Sequence, residues 1–385
     1  MYLDKIAKYL ENNQPNTPCI LLDLSQVEKN FNAFRNSIPK AKIFYAIKAN
    51  PELEVLQLLH SMGSCFDAAS IPEIEMVVKL GAKAENISFG NTIKKESDIL
   101  KAYQLGIRLF AVDSLEELEK IARVAPNSKI FCRILVEGEG AQWPLTRKFG
   151  CESDYAIHIL QKAVTLGLSP VGVSFHVGSQ QVCLDAWDKA LKKVKYIFDV
   201  MEKKNINLNL INMGGGFPIS YLTDVPEISC YGTAIMESFN KYFADKNIDI
   251  IIEPGRGMVG DVGVLLTEVV LISRKNLSNQ EKRWIFLDSG KFNGLIETLD
   301  ESIRYDIRLL DNFLQDKPND KGEAAIIAGP TCDSADILYE KNPYPLPDNL
   351  QIGDKLVVLG AGAYTSSYAS VAFNGFEPIK TYVIS

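Results

Sequence analysis

Lys48 closes a short apolar run, Ile43–Ile47, inside the stretch Phe44-Tyr-Ala-Ile-Lys-Ala-Asn-Pro51, just before a Pro-led helix start. A lysine at the carboxyl end of a buried strand is costly to desolvate, and apolar surroundings favour the neutral amine that performs Schiff-base chemistry. The sequence therefore leads us to expect a desolvated, reactive Lys48. Glu253 and His176 also end apolar runs. A carboxylate so placed can serve as a metal ligand, a general base or the partner of a heterocyclic nitrogen. Gly214-Gly215-Gly216-Phe217 follows a further run, and such a turn lets backbone N–H groups approach an anion closely, although alone it is equally consistent with a tight turn. Pro254-Gly255-Arg256-Gly257 adds a second turn in which Arg256 offers a two-pronged donor for phosphate.

Stepping outward from these residues, strand-like runs occur at Ile43–Ile47, Ser64–Phe66, Ile87–Phe89, Leu109–Val112, Ile130–Leu135, Val171–His176, Leu210–Met213 and Ile250–Ile252. Helical patterns separate them: Pro51–Met62, Ile71–Leu80, Lys94–Leu105, Leu115–Val124, Ser153–Leu166, Leu184–Lys203 and Pro226–Asp245. This alternation predicts a closed (β/α)8 barrel; a doubly wound open sheet usually stops at five or six strands. Barrel chemistry sits at the carboxyl ends of the strands, where Lys48, Asp67, Asp113, Arg133, His176, the glycine turn and Glu253 all fall. Barrel phosphate sites follow the last two strands, which is where both turns lie. Beyond Gly257, strand-like runs at Val262–Ser273, Arg283–Asp288, Glu323–Ala328, Lys355–Leu359 and Thr381–Ile384 read as an antiparallel β domain, to which Cys19–Leu24 adds a strand. The predicted division is a barrel over 25–260 and a β domain from 1–24 and 261–385. Asp311–Gly322, rich in Asp, Lys and Asn, reads as a flexible insertion.

Composition limits the chemistry. The chain of 385 residues has a net charge of −7 and no basic cluster with interleaved aromatics, which argues against a nucleic-acid partner. Seven scattered cysteines without a C-x-x-C pair indicate neither a disulfide framework nor a zinc site. Of the three histidines, His60 and His158 fall in helical patterns, so a histidine-rich metal centre is not expected. No signal-like core or membrane-length apolar run is seen, and the expected setting is the cytoplasm. A lysine, a carboxylate, one flat imidazole and a phosphate cradle together match pyridoxal 5′-phosphate.

The sequence further resembles the fold-type III pyridoxal-phosphate decarboxylases, the alanine-racemase-like group of ornithine, lysine and diaminopimelate decarboxylases. The resemblance runs from about Asn16 onward through Phe44–Pro51, Phe66–Ser70, Trp143–Gly150, His176–Gln180, Gly214–Pro218, Glu253–Arg256, Gly329–Asp333, Gly362–Thr365 and Phe373–Phe376. It implies that Lys48 holds the cofactor covalently, His176 stacks on its ring and Glu253 pairs with its nitrogen, with Asp67 and Arg133 holding that arrangement. It assigns the cofactor phosphate to Ser179, the turn around Gly215 and Gly216, the Pro254-Gly255-Arg256 turn and Tyr364. It also implies a homodimer with shared sites. Cys332 of one chain would return a proton to the substrate carbon at the other chain's cofactor, and Asp333 would bind the substrate's distal ammonium. No metal enters this scheme.

Within that group, diaminopimelate decarboxylases carry a glutamate after the cysteine and recruit arginines for a distal carboxylate. Here Asp333 follows Cys332, and Trp-Pro-Leu-Thr-Arg-Lys-Phe-Gly150 resembles the ornithine/lysine branch. The expected substrate is a small basic L-amino acid: ornithine giving putrescine, as in polyamine biosynthesis, or lysine giving cadaverine. Tyr305-Asp306 is expected to supply a second acidic contact. Ornithine and lysine differ by one methylene, worth ~1–3 kcal/mol of discrimination. Other readings are a diaminopimelate decarboxylase making lysine and an inactive homologue acting as a regulatory binding protein. Retained Lys48, Cys332 and Asp333 count against the second.

Overall fold

The computed structural model describes residues 3–143, 148–277 and 280–385. Pro144–Arg147, within the Trp143–Gly150 stretch, lie outside the described residues. Contacts divide the chain into two units. The first runs up to Val27, takes in Ile219–Asp224 and resumes at Val259; the second comprises Glu28–Pro218 and Val225–Met258.

The first unit opens with helix α1 (Asp4–Asn12) and strand β1 (Cys19–Asp23). The second unit is the barrel. Its parallel strands β2 (Ala41–Ala46), β3 (Cys65–Ala68), β4 (Ile87–Phe89), β5 (Leu109–Val112) and β6 (Lys129–Arg133) are followed, after a short excursion β7 (Ala141–Trp143), by β8 (Ser169–Ser174). A second excursion, β9 (Ser179–Gln181), precedes β10 (Leu210–Asn212) and β11 (Asp249–Ile252). The closed order β10-β11-β2-β3-β4-β5-β6-β8 bears out the barrel, and each of its eight strands overlaps an expected run. The small antiparallel sheet of β7 and β9 was not foreseen; it pairs Trp143 with Ser179.

The inside of the barrel is filled by Phe44, Cys65, Ala111, Phe131, Leu210 and Ile251, with Leu109 and Val171 packed against them. It is a packed core rather than a pore, and truncating a side chain such as Phe131 to Ala should cost about 3–5 kcal/mol. Side chains two residues apart on a strand share a face. Two positions beyond this apolar layer the same inward face carries Ala46, Asp67, Asp113, Arg133, Asn212 and Glu253. The change from apolar to charged within one strand step is what creates a reactive mouth on a stable base.

The loop after β4 is braced from beneath. Lys94, fully buried, donates to Asn91 O at 2.7 Å and Ala111 O at 2.8 Å, and pairs with Glu117 at 2.9 Å. Glu117 also holds Lys120 at 2.6 Å, and its backbone N–H is capped by Ser114 at the start of the helix Leu115–Val124.

The rest of the first unit is an eight-stranded sheet of β12 (Gly263–Leu277), β13 (Gln280–Leu287), β14 (Ile307–Leu309), β15 (Ala324–Ala328), β16 (Ile337–Pro345), β17 (Lys355–Leu359) and β18 (Lys380–Ile384), completed by β1. Its main path is β14-β17-β12-β13-β15-β16, and β1 lies between β12 and β18. Most pairs are antiparallel, as expected, but β1–β18 and β13–β15 are parallel. Two expectations are corrected. The long strand β16 was not anticipated, because Glu340-Lys341-Asn342 interrupts its apolar pattern. Asp311–Gly322 is not a loose insertion: its start belongs to a short helix, Leu310–Leu314. Asn319 bonds back to the chain, accepting from Leu309 N at 2.9 Å and donating to Ile307 O at 2.8 Å.

Candidate active site

The barrel unit brings most of the expected residues to one mouth. Lys48 stands in a one-turn 3-10 helix, Ile47–Ala49, immediately after β2. Its side chain is exposed, which overturns the expectation of a desolvated lysine: the turn carries it clear of the buried strand. Asp67, buried at the end of β3, accepts a hydrogen bond from Ser88 Oγ at 2.9 Å. Gly90 lies so close that a Cβ there would meet Asp67 Oδ1 at 1.9 Å, so the carboxylate occupies the space a side chain would need. Burial raises the Asp67 carboxyl; Lys48, Ser88 and Arg133 oppose the shift. Arg133 ends β6 with its guanidinium 5.2 Å from the Phe149 ring centroid.

His176 follows β8, and its Nδ1 accepts from Gly178 N at 3.1 Å. That bond requires an unprotonated Nδ1. Desolvation, with the positive charges of Arg133 and Lys48, holds the imidazole well below its usual value, so the ring is neutral. A neutral flat ring is suited to stacking on a cationic heteroaromatic.

Glu253 follows β11. Its Oε1 accepts from Asn212 Nδ2, and its backbone N–H donates to Gly214 O at 2.8 Å. Burial, and then the neighbouring Asp67, push its carboxyl up to about 8 against the pull of Asn212, Lys48 and Arg133. At neutral pH the acid is largely protonated, and the charges that act on it are Asp67 and the cations Lys48 and Arg133.

The glycine turn is packed, not merely tight. Gly214 and Gly216 have φ of +65° and +101°, and a Cβ on Gly215 would lie 2.5 Å from Glu253 O. Beside it, the buried Arg256 donates to Ser179 Oγ at 3.3 Å, just after the Pro254-Gly255 turn. Ser179, Gly215, Gly216 and Arg256 thus surround one cradle, with N–H groups, a hydroxyl and a guanidinium suited to a phosphate. A lysine amine, a proton-bearing acid, a neutral imidazole and a phosphate cradle on one mouth fit pyridoxal 5′-phosphate in both charge and donor set.

The remaining expected residues belong to the other unit. Tyr364 adopts φ of +60° in the turn after β17. Cys332 and Asp333 are exposed on the loop between β15 and β16. The loop is held by Asp336, which accepts from Lys291 N at 2.7 Å and from Thr331 Oγ1 at 2.7 Å, and by Asn374, which accepts from Cys332 N at 2.9 Å. Tyr305 is 1% exposed, with its backbone N–H bonded to Tyr339 Oη and its carbonyl to Tyr344 Oη. Asp306 is ion-paired with Arg308 at 2.7 Å. This placement gives no support to the expected second acidic contact from Tyr305 and Asp306. Sequence reading missed Ser88 and Asn212; a buried Asn inside the run Leu-Ile-Asn-Met was the only signal for the latter.

A barrel mouth of this composition defines a pyridoxal-phosphate enzyme with the lysine in the turn after the first barrel strand, the one that closes the barrel with β11. Residues 24–260 match the family described as "Pyridoxal-dependent decarboxylase, pyridoxal binding domain". The chain is 34% identical to the lysine/ornithine decarboxylase of Selenomonas ruminantium, over 99% of this chain and 92% of that one. The crystal structure of the S. ruminantium lysine decarboxylase with PLP and cadaverine superposes with a TM-score of 0.85 at 31% identity, covering 99% of this chain and 93% of that one. The arginine decarboxylase of Paramecium bursaria Chlorella virus gives 0.88 at 27% identity, with 100% of both chains covered. The chain belongs to the pyridoxal-dependent decarboxylase family, its cofactor is pyridoxal 5′-phosphate, and it is a carboxy-lyase.

Proposed function

We propose that the protein decarboxylates a small basic L-amino acid, ornithine or lysine, to the corresponding diamine. The observation that carries this reading is the polar layer of Asp67, Arg133 and Glu253 above the apolar barrel core, with Lys48 in the turn after β2 and the Ser179–Gly216–Arg256 cradle on the same mouth. When bound, the cofactor supplies an electron sink for the pair left by departing carbon dioxide. The chain's residues do the rest. Lys48 would hold the cofactor through its amine. Glu253 keeps a proton at the ring nitrogen, and His176 supports the ring face. Ser179, the glycine turn and Arg256 grip the phosphate, with Tyr364 joining them. Cys332 returns a proton to the substrate carbon, and Asp333 pairs with the distal ammonium.

We assign Cys332 and Asp333 to sites shared in a homodimer. Support comes from the β unit itself: Cys332 is exposed and bonded to Asn374, within a segment whose Val371, Phe373 and Phe376 are also exposed. An apolar strip beside an exposed thiol is what a second copy of the chain would cover. We infer a cytoplasmic setting from the seven cysteines, all of them free thiols. No helix among the described residues is long and apolar enough to cross a membrane.

The test is mass-spectrometric product analysis with an equimolar mixture of ornithine, lysine, arginine and diaminopimelate. Putrescine or cadaverine as the main product is expected. Lysine formed from diaminopimelate, agmatine from arginine, or no amine at all would overturn the assignment.

A further inference from the structure

Asn212 is fully buried inside an apolar strand, a costly place for an amide unless both its halves are bonded. They are: Nδ2 donates to Glu253 Oε1, and Oδ1 accepts from Gly214 N at 2.9 Å. Neither bond is needed to pair the strands, since β10 and β11 are already in parallel register from Leu210–Asp249 to Asn212–Ile251. The side chain instead joins the end of β11 to the glycine turn, and Glu253 N closes the ring through Gly214 O at 2.8 Å. The amide offers a donor to an acid and an acceptor to an N–H from two separate atoms at once. Aspartate would keep the acceptor alone, and leucine neither.

We propose that Asn212 is a positioning residue that sets the Glu253 carboxyl and the Gly214–Gly216 turn as one unit, fixing the separation between the group that meets the cofactor's ring nitrogen and the turn that cradles its phosphate. This rests on the cofactor reading given above. Asp67 from β3, Arg133 from β6 and Lys48 after β2 also act on Glu253 by charge. Asp67 raises its carboxyl and Lys48 and Arg133 lower it, whereas Asn212 holds its direction. A carboxyl that could rotate would meet the ring nitrogen only part of the time, and a turn freed from Asn212 would lose its alignment with that acid.

The test uses cofactor-free protein and two probes, pyridoxal 5′-phosphate and inorganic phosphate, with circular dichroism to verify folding of each variant. Asn212→Asp keeps the acceptor for Gly214 N. It should bind inorganic phosphate as the wild type does, yet bind pyridoxal 5′-phosphate about tenfold more weakly, because the aspartate can bond Glu253 only by accepting the acid's own proton and so turns that proton away from the ring nitrogen. Asn212→Leu should weaken both probes. Combining Asn212→Asp with Glu253→Gln reverses donor and acceptor across the pair, so the double variant should bind pyridoxal 5′-phosphate no more weakly than Glu253→Gln alone. Should Asn212→Leu fail to fold, Asn212→Asp and the double variant decide the matter. Equal weakening of both probes by Asn212→Asp, no weakening of either, or additive losses in the double variant would each overturn the proposal. Failure of the cofactor reading looks different: the wild type itself would then bind pyridoxal 5′-phosphate no better than Lys48→Ala does.

Discussion

Glu253 ties the chemistry of the mouth to the stability of the cofactor-free protein. Its carboxyl is raised from 4.5 to about 8, first by burial and then by Asp67. Between those values the folded chain keeps a proton that the unfolded chain has released, so stability falls as pH rises from 4.5 toward 8. Urea unfolding of cofactor-free protein across that range should show this slope, and Glu253→Gln should flatten it. An unchanged slope in the variant would place the titration elsewhere. Asp333→Ala should lower kcat/KM for the diamine precursor by ~2–5 kcal/mol while leaving cofactor affinity near the wild-type value, because only the substrate's distal charge loses its partner. Equal losses in both would make Asp333 a structural residue. Lys48, His176 and Glu253 were legible because each ends an apolar run, and Arg256 because it sits in the Pro-Gly turn that follows one. Ser88 and Asn212 were not, since their partners, Asp67 and Glu253, lie on neighbouring strands whose register a linear sequence does not disclose. The exposure of Lys48 was hidden for a related reason: it depends on the turn above the strand end.

At the level of elements, the barrel strands could be read because both their faces are covered and they appear as continuous apolar runs. Strand β16 could not, because half of it faces solvent and its register with β15 shifts twice. The Lys94–Glu117–Lys120 cluster was equally invisible, being built from a loop and a helix that meet only in three dimensions. Its removal has a defined consequence. Burial pushes the Lys94 ammonium down to about 8 even though Glu117 raises it. Glu117→Gln would take away that cation's ion-pair partner while leaving it buried, a loss of about 3–5 kcal/mol at neutral pH by chemical denaturation. Because Lys94 loses its proton as pH passes about 8, the penalty should shrink in more alkaline buffer. A penalty that is constant with pH would mean that Glu117 acts by packing rather than by charge.

For the whole molecule, the shared-site homodimer makes the sharpest claim. Lys48→Ala and Cys332→Ala homodimers should each be nearly inactive. Mixed in equal amounts under conditions of subunit exchange, they should form heterodimers in about half the population, each with one intact site. Activity should then return to roughly a quarter of the wild-type value, if the sites are independent. Exchange proved by tag pull-down, with activity still at the homodimer baseline, would put Lys48 and Cys332 in one chain's site.

The place of β1 between β12 and β18 also governs the order in which the protein can be made. A growing chain that has reached Met258 carries every barrel strand, but β1, with all five residues buried in the finished sheet, still has no neighbour. One edge is met when residues 263–266 emerge, and the other only with Lys380–Ile384. For most of synthesis, then, an apolar strand waits with an open edge, the kind of segment that pairs with other chains when left uncovered. The β unit becomes safe from such pairing only when its final strand leaves the ribosome.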